Sequence, residues 1–518
     1  MATVGKNILD NLTTGMYADS KVIYREYIQN ACDQIDLAVG LGVLSSADDG
    51  YIDIFTDNKK RYISIKDNAT GVKAEAFIED VGDIANSSKQ IGKNKGFRGI
   101  GRLCGLAYCK TLKFTTSYIG EKIKSIMTCD AQKMRAMLVE NKKYTLDEIW
   151  DVIISYSSEP EEENAHYFEV EMFDINRENT DLLNEAKVRE YLSFVAPVPY
   201  KNTFILRNQI YNYAKSIRYK IDEYSIRING SQIFKEYTTK LKEQSGASLR
   251  NYDEISRLEF KDFRAPSGDL IAWMWIGLSR FEKQIPSVNH MRGLRIRSAN
   301  IQLGNDSVLQ PLFKENRGNY YFVGEVFAVS HNLIPNSQRD YFNENETRVL
   351  FEDLLREYFY DVLHKLYYEA NRVKNDYKRQ EEYLSKVAEY QKKEKEHGFV
   401  NEEERQKLQF DIDKAKKVAE DARKRLDKLD TNDSESPMSE VRKSIGKKYA
   451  AEELKRKAET TTVVVSGEDK KKPFVTDGMS KLSKRERKLV GKILTIITDV
   501  APKEIAEQIV DRIKDEMK

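Results

Sequence analysis

Glu26-Tyr-Ile-Gln-Asn30-Ala-Cys-Asp33 is the first of three short stretches, in a fixed order, that carry most of the information in this 518-residue chain. The other two are Asp67-Asn-Ala-Thr-Gly71 and Gly96-Phe-Arg-Gly99-Ile-Gly101. Each alone is a weak signal, because glycine-rich runs occur in many loops that need only a tight turn. Together they predict a pocket for a nucleotide whose phosphates lie along a glycine-rich lid, beside a helix that holds a metal ion. The chain has no Walker-type lysine motif.

The first stretch lies in an amphipathic pattern that predicts a helix over residues 18–39. Glu26, Asn30 and Asp33 are then separated by four and three residues and share one face of the helix. The amide oxygen of Asn30 suits magnesium, which takes oxygen ligands and usually keeps several waters. The carboxylate of Glu26 could accept a proton from an attacking water, or orient it. The alternative is an ordinary solvated polar face.

The second stretch follows a predicted β-hairpin over residues 51–67, which places Asp67 at the exit of a strand. A carboxylate there can accept a hydrogen bond from an exocyclic amine such as that of adenine, although a plain turn aspartate has the same pattern. In the third stretch, glycines allow backbone N–H groups to approach phosphates at the start of a helix predicted from Leu103. A flexible loop that leads into a helix is the alternative.

The wider pattern predicts an α+β fold with several units, since 518 residues are too many for one core. Residues 1–178 combine an antiparallel sheet with helices on one face, with further strands at 111–117 and 166–173. Residues 179–345 form a second α+β unit. Its strands are predicted at 224–228, 270–278, 293–297 and 320–329.

The C-terminal part is predicted to be helical. In residues 346–430, apolar residues recur at alternating steps of four and three on both sides of Gly398, and Asn401 with Glu404 marks a new helix start. This predicts an antiparallel coiled-coil hairpin; a single interrupted coiled coil in a dimer is the alternative. Residues 431–482 are predicted to be a linker with basic segments, and residues 483–518 a pair of helices. The stripe of Ile505, Ile509 and Ile513 would pack on its neighbour or form a small dimer contact.

The composition indicates a cytoplasmic protein. Charged residues make up 32% of the chain and hydrophobic residues 40%. The four cysteines lack CxxC spacing, which is typical of thiols in a reducing compartment. No apolar run approaches the roughly 20 residues that span a bilayer, and the first residues lack the apolar core of a secretory signal.

The order and spacing of the three stretches resemble the GHKL superfamily, which includes gyrase, the ninety-kilodalton heat-shock chaperones, histidine kinases and MutL. The resemblance implies an N-terminal GHKL α/β sandwich that uses ATP and Mg²⁺ and hydrolyses ATP to ADP and phosphate. It implies these roles: Glu26 the general base, Asn30 the magnesium ligand, Asp33 a pocket residue, Asp67 the adenine-reading aspartate and Gly71 its loop glycine. The ATP-lid hinge would comprise Gly96, Phe97, Arg98, Gly99, Ile100 and Gly101. Ala69 departs from the family pattern, which has glycine there.

A segment of the second unit resembles the heat-shock chaperone branch. It reads Gly324-Glu-Val-Phe-Ala-Val-Ser-His-Asn-Leu-Ile-Pro335-Asn-Ser-Gln-Arg339-Asp-Tyr-Phe342. In that branch the loop arginine of the middle, or transducer, domain reaches the γ-phosphate. The resemblance therefore implies Arg339 as a cation delivered from the second domain, where a planar guanidinium can hold two phosphate oxygens. A surface salt-bridge arginine is the alternative.

The chaperone branch implies a slow machine in which ATP drives closure of a homodimer that acts on a protein client or partner through the coiled coil. No membrane is involved in this reading. The alternative is a nucleic-acid-associated GHKL ATPase of the MORC or MutL kind, in DNA processing or anti-phage defence. Its support is residues 441–493, which hold 16 basic and 7 acidic residues. The missing phospho-acceptor histidine box and D-Q-H-x-x-x-E-R motif disfavour a histidine kinase and a MutL endonuclease.

Overall fold

The computed structural model describes Lys6 and residues 19–82, 101–394, 399, 401–430, 436–465 and 482–516. The chain divides into two compact units: Met1–Ser279 with Lys283–His364, and Arg280–Glu282 with Lys365–Lys518. The first unit contains the β-sheets and the second is helical. The predicted α+β class with a helical C-terminal part is confirmed. Within the described residues, no helix is both long enough and apolar enough to cross a membrane.

An eight-stranded mixed sheet organises the N-terminal part of the first unit. Its strands are β1 (Tyr51–Asp57), β2 (Tyr62–Asp67), β3 (Thr111–Ser117), β4 (Ile123–Asp130), β5 (Ile154–Pro160), β6 (Tyr167–Phe173), β7 (Ser225–Ile228) and β8 (Ser231–Gln232). They lie in the order β5-β4-β3-β6-β2-β1-β7-β8. The predicted hairpin is confirmed, with Ile54 opposite Ile65 across β1 and β2. In β1 the buried residues alternate, as the period-two pattern requires, whereas β2 buries Ile63, Ser64 and Ile65 in succession.

Strand β7 corrects the sequence prediction, which assigned residues 224–228 to the second unit. The strand pairs in parallel with β1, with Ile226 opposite Ile52. Arg227 also forms a two-point ion pair with Asp53, at 2.5 and 2.8 Å. The hydrophobic core around the first sheet therefore continues through Ile233. A strand pattern alone does not specify which sheet edge a strand will join, because edge pairing uses backbone groups.

The described residues of the first unit include the α-helices α1 (Val22–Gly40), α2 (Ala131–Val139), α3 (Leu146–Ile153), α4 (Glu185–Val195), α5 (Arg207–Ser216) and α6 (Glu346–Tyr358). Helix α1 is the predicted amphipathic helix, and it buries Ile23, Tyr27 and Ile35. It begins at Val22, later than predicted, because the carboxylate of Asp19 accepts the backbone N–H of Lys21 at 3.0 Å and holds a turn there.

The remaining strands form a five-stranded and a two-stranded sheet. They are β9 (Lys240–Ser245), β10 (Ser248–Glu254), β11 (Arg257–Arg264), β12 (Leu270–Leu278), β13 (Gly293–Ser298), β14 (Ile301–Leu303) and β15 (Val323–Ala328). The larger sheet has the order β11-β12-β15-β13-β14, and β9 pairs with β10. The strands predicted around 270–278, 293–297 and 320–329 are confirmed, the last with tighter bounds.

A buried charge network lies under the larger sheet. The Glu325 carboxylate accepts hydrogen bonds from Arg297 Nε at 2.6 Å and Lys235 Nζ at 3.1 Å, and all three side chains are 0% exposed. The hydroxyls of Tyr200 and Tyr237 also donate to it. Burial raises the pKa of Glu325, but the two cations outweigh burial and lower this pKa to about 2. Burial and then Arg297 lower the pKa of Lys235 to about 8, because two cations share one carboxylate.

The second unit contains helices α7 (His364–Lys392), which begins at the last residue of the first unit, α8 (Glu402–Asp430), α9 (Pro437–Val465), α10 (Lys484–Val500) and α11 (Lys503–Glu516). Helices α7 and α8 run antiparallel, because Lys393 pairs with Glu404 near one end and Asp376 with Arg425 near the other. Gly398, the predicted tip, lies outside the described residues. The coiled-coil assignment stays a prediction.

Helix α9 contradicts the predicted linker over much of residues 431–482. Its buried residues Met438, Val441, Ile445 and Tyr449 recur at steps of three and four, and Tyr449 stacks on Tyr377 of α7 at 4.8 Å. The lysine-rich composition obscured this apolar stripe, which packs the helix.

The predicted helix pair at the C-terminus is confirmed, with Ser483 and Glu486 forming a capping box at the start of α10. The stripe predicted on α11 packs only in part: Ile513 packs against the contact between Leu494 and Val510. Ile505 and Ile509 are 51% and 37% exposed, so the small dimer contact stays a prediction for them.

We expect Glu325→Gln to destabilise the first unit by roughly 3–5 kcal/mol, because it leaves two buried cations without their carboxylate. Differential scanning calorimetry of the full chain would show a lower melting temperature at pH 7. The folded pKa of Glu325 lies below its ordinary value of 4.5, so this stabilisation is present above about pH 4.5 and is lost as the pH falls towards 2. The difference in melting temperature between the parent and Glu325→Gln should therefore become smaller as the pH falls over that interval.

The matched control is Glu315→Gln, which changes a half-exposed glutamate paired with Arg317 in the same unit. Its effect should stay within about 0.5 kcal/mol. Equal melting temperatures for Glu325→Gln and the parent at pH 7 would contradict the role given to the network.

Candidate active site

Helix α1 positions three of the predicted site residues. Glu26 and Asp33 are each 7% exposed, and Asn30 between them is partly exposed. The apolar residues of α1 pack into the core of the first sheet. Because the helix axis is fixed by that packing, the polar face that carries Glu26, Asn30 and Asp33 has one orientation relative to the sheet.

Two guanidinium groups flank the Glu26 carboxylate. Arg25 donates from Nε and Nη2 to Glu26 Oε1 at 3.3 and 3.2 Å. Arg25 Nη2 also donates to the backbone oxygen of Gln338 at 3.2 Å. Arg339 Nε lies 3.7 Å from the same Glu26 oxygen. The structure thus joins Glu26 to the loop that follows β15.

The loop that presents Arg339 is tightly built. Its ends form an antiparallel β-bridge between Pro335 and Phe342, and Asp340 N donates to Asn336 Oδ1 at 3.2 Å. Arg339 itself has a φ of 54°, in the left-handed region that side chains other than glycine rarely adopt. A strained residue held by its surroundings is typical of functional loops.

Gly101 brings the end of the third stretch against Glu26. A Cβ atom on Gly101 would lie 2.7 Å from Glu26 Oε2, so the second carboxylate oxygen approaches this backbone closely. The segment Gly101–Ala107 is a 3₁₀ helix, which replaces the helix predicted from Leu103. The Tyr27 hydroxyl accepts from Gly105 N at 3.1 Å, and this side-chain bond helps hold the short segment against α1. The rest of the predicted lid hinge lies outside the described residues; it comprises Gly96, Phe97, Arg98, Gly99 and Ile100.

The loop after β2 is fastened to the other end of the same helix. Asp67 is 4% exposed, and its Oδ1 accepts the backbone N–H of Ala69 at 3.0 Å. Thr70 Oγ1 donates to Gln34 Oε1 on α1 at 3.1 Å. Eight residues of helix separate Gln34 from Glu26, about 12 Å of helix axis. The Asp67 loop and Glu26 therefore mark the two ends of an elongated site.

Gln29 and Arg25 are residues that the sequence analysis missed. Gln29 is 0% exposed, and neither of its amide atoms has a hydrogen-bond partner in the part of the chain that the structure describes. It lies beside Asn30 on the face that carries Glu26, and an unpaired buried amide is costly. One feature of the sequence could have identified them: Arg25 and Gln29 are polar residues in and beside the apolar stretch that forms the buried part of α1.

The donor set fits a magnesium nucleotide. No cluster of three His, Cys, Asp or Glu side chains in the described part of the chain could hold a metal ion. Magnesium bound with a nucleotide needs few protein ligands, because phosphate and water supply most of its oxygens. The amide oxygen of Asn30 is a suitable protein ligand, and the unpaired amide of Gln29 beside it indicates unmet hydrogen bonding at this point of the helix.

Comparison with known families identifies the kind of domain. Residues 43–159 match the family described as histidine kinase-, DNA gyrase B-, and HSP90-like ATPase. The matched span contains Asp67, Gly71 and the third stretch, whereas Glu26 and Asn30 precede it. The predicted resemblance to GHKL ATPases is confirmed.

The chain is also similar to three curated chaperones over a short region. It is 34% identical over 94 residues to chaperone protein HtpG of Orientia tsutsugamushi (strain Boryong), which covers 17% of this chain and 15% of the relative. The HtpG proteins of Buchnera aphidicola subsp. Baizongia pistaciae (strain Bp) and Bacillus licheniformis are 32% identical over 99 residues and 33% identical over 87 residues. These matches cover 17% and 16% of this chain, and 16% and 14% of the relatives. The matches therefore span only a small part of each relative's length, and the resemblance to the heat-shock chaperones is confirmed at that level.

We expect Gly71→Ala to destabilise the first unit strongly. Gly71 has a φ of 68°, and a Cβ atom there would lie 1.9 Å from the backbone oxygen of Ser117, which cannot move without disturbing β3. The matched control is Gly42→Ala, since Gly42 has a φ of 74° but no atom within 4 Å of its Cβ position. The Gly42→Ala control should lower the free energy of unfolding by roughly 1–2 kcal/mol, the cost of placing alanine in the left-handed backbone region. A melting-temperature loss for Gly71→Ala no larger than that for Gly42→Ala would contradict the close approach.

Proposed function

We propose that the first unit binds ATP with Mg²⁺ and hydrolyses it to ADP and phosphate, as the motor of a slow machine that resembles the heat-shock chaperones. The contact that carries this proposal is that of Glu26 with Arg339, because it joins a candidate base on α1 to a cation from a different sheet. The eight-stranded sheet with its helices would be the ATP-binding domain. The five-stranded sheet would be the core of the transducer domain.

Glu26 would orient the attacking water and accept its proton. Arg25 supports this role, because its two bonds to one carboxylate oxygen fix the direction of the Glu26 side chain. Asn30 would ligate Mg²⁺, which when bound offsets the negative charge of the triphosphate. Gly101 would let the backbone approach the phosphates, continuing the lid run that begins at Gly96.

Asp67 would accept a hydrogen bond from the adenine amine at the far end of the site, with Asp33 beside it on α1 as a further pocket residue. Its turn with Ala69 supports this role by fixing the carboxylate. Gly71 would keep the loop close to β3. Arg339 would hold γ-phosphate oxygens with its planar guanidinium and stabilise the charge that develops as the bond breaks.

ATP-driven closure of a homodimer is part of the proposal. The relatives are named chaperone proteins, and the last two helices of this chain expose apolar side chains that a second copy could cover. The most exposed are Leu489, Ile496, Val500 and Ile505, at 59%, 60%, 81% and 51%. The two-helix arm of α7 and α8 also exposes Phe410 and Leu384, at 68% and 49%, which supports a protein client or partner as its ligand.

We place this activity in the cytoplasm, since all four cysteines are buried free thiols. The alternative function, a MORC-like or MutL-like ATPase on nucleic acid, rests on the lysine-rich residues 441–493. Helix α9 uses part of that stretch for packing, which leaves the chaperone-like function better supported.

We expect Glu26→Ala to lower the rate of ATP hydrolysis by about 100-fold or more, because the positioned base is lost. ATP binding, measured by calorimetry, should be retained. Glu178→Ala is the control, since it removes an exposed glutamate from the same unit. A variant that binds ATP without turning it over also allows the native mass to be measured with nucleotide in place. Unchanged turnover would refute the role of Glu26, and a monomer with and without ATP would refute the dimer.

Arg339→Ala should reduce turnover on the order of 10- to 1,000-fold, because the charge on the transferred phosphoryl group loses its cation. The affinity for ADP should not change, since ADP has no γ-phosphate. Arg317→Ala, at an exposed position of the same unit, is the control. If the affinity for ADP fell as much as turnover, Arg339 would be structural and not catalytic.

A further inference from the structure

A cavity of 840 Å³ lies within the first unit, between helices α1 and α4 on one side and strands β13 and β14 on the other. Arg25, Arg295, Gln302 and Arg339 are among its lining residues. Pockets that hold small-molecule ligands have volumes of roughly 300–1,000 Å³. The cavity therefore has room for an organic molecule and not only for a single ion.

Arg295 of β13 is a buried cation without an ion pair of its own among the described residues. The carboxylates that attract it, Asp306 and Glu325, are paired with other cations. Its side chain is 4% exposed, and its Nη2 donates to the backbone oxygen of His290. Its guanidinium lies 4.6 Å from the centre of the Phe194 ring. Among the described residues, its Nε atom has no hydrogen-bond partner, and no ion pair includes Arg295. A buried guanidinium in this state is unfavourable unless an anion joins it.

Gln302 of β14 offers a second unmet polar group on the same side of the sheet. It lies opposite Arg297 across β13 and β14. Residues two apart on a strand share a face, so Arg295 and Gln302 project in the same direction. Gln302 is 4% exposed, and its Nε2 donates to Gly304 O at 2.9 Å. Its Oε1 is buried, and no described residue donates a hydrogen bond to it.

The other charged residues that line the cavity have partners within the protein. The pairs are Asp19 with Lys21, Glu190 with His290, Arg292 with Asp306, Arg25 and Arg339 with Glu26, and Asp340 with Asn336. Arg295 is thus the charged lining residue whose guanidinium keeps an unused buried donor, Nε, among the described residues. The carboxylate or phosphate group of an anionic ligand would accept a hydrogen bond from it.

We propose that this cavity binds a small organic anion whose carboxylate or phosphate group accepts hydrogen bonds from Arg295 and whose hydroxyl or amino group donates to Gln302. A guanidinium is well suited to hold an oxyanion, and Phe194 supplies part of the apolar wall. Binding at Arg295 and Gln302 requires no nucleotide. The cavity adjoins the candidate ATP pocket, because Arg25 and Arg339 line it and both contact Glu26.

The test uses the nucleotide-free full chain in phosphate-free buffer at constant ionic strength. Two probe pairs differ by hydroxyl groups: malate against succinate, and glycerol 3-phosphate against propyl phosphate. We expect the hydroxylated member of at least one pair to bind with a Kd below about 1 mM, measured by calorimetry and by a saturable rise in melting temperature. The pair that binds identifies a carboxylate or a phosphate as the anion. Failure of all four probes to bind at roughly 10 mM would overturn the proposal.

Two variants examine the two contacts separately. Arg295→Met should abolish probe binding while leaving the ligand-free melting temperature equal or higher, because it removes an unpaired buried charge. Gln302→Leu should erase the roughly tenfold preference for the hydroxylated member of the pair. Arg257→Met, an exposed arginine of β11, is the control and should bind like the parent. A lower ligand-free melting temperature for Arg295→Met, or undiminished probe binding to it, would show that Arg295 is structural.

Discussion

The Glu26 carboxylate is the point on which the arrangement of the first unit depends. One of its oxygens meets Arg25 from the same helix and Arg339 from a loop 313 residues further along the chain. Arg25 adds a bond to the backbone of Gln338, so the helix also holds the loop directly. A single buried carboxylate thus ties the eight-stranded sheet to the segment that follows the five-stranded sheet. A change in charge near Glu26 will therefore alter both its contact with Arg25 and its contact with Arg339.

Strand β13 shows how the same residue type can have two different uses. Arg295 and Arg297 lie two residues apart, on the same face of the strand. Arg297 pairs with Glu325, which it shares with Lys235, and is part of the packed interior. Arg295 faces a cavity and forms no ion pair among the described residues, so its Nε can donate to an outside molecule. Burial alone therefore does not separate a structural arginine from a binding arginine; the presence of a partner does.

Sequence patterns predicted the local elements well and their long-range relations poorly. Helix α1 and strands β1, β2 and β3 follow from apolar periodicity, which is a local property. The clustering of Glu26, Arg339 and Gly101 was inferred from family resemblance, because no local signal joins residues so far apart. The contacts of Arg25 and the unpaired amide of Gln29 depend on packing, and helix α9 was obscured by its many lysines. The partner of β7 could not be predicted, since the sequence of a strand does not specify which other strand it pairs with.

The parallel pairing of β1 with β7 also affects how the protein folds while the ribosome synthesises it. Arg227 meets Asp53 across 174 residues of chain, so the first sheet has an open edge until that late segment has been synthesised. Unpaired strand edges are prone to wrong associations, and distant pairings form slowly. The N-terminal sheet is thus completed only after the nascent chain has passed residue 232, where β8 ends.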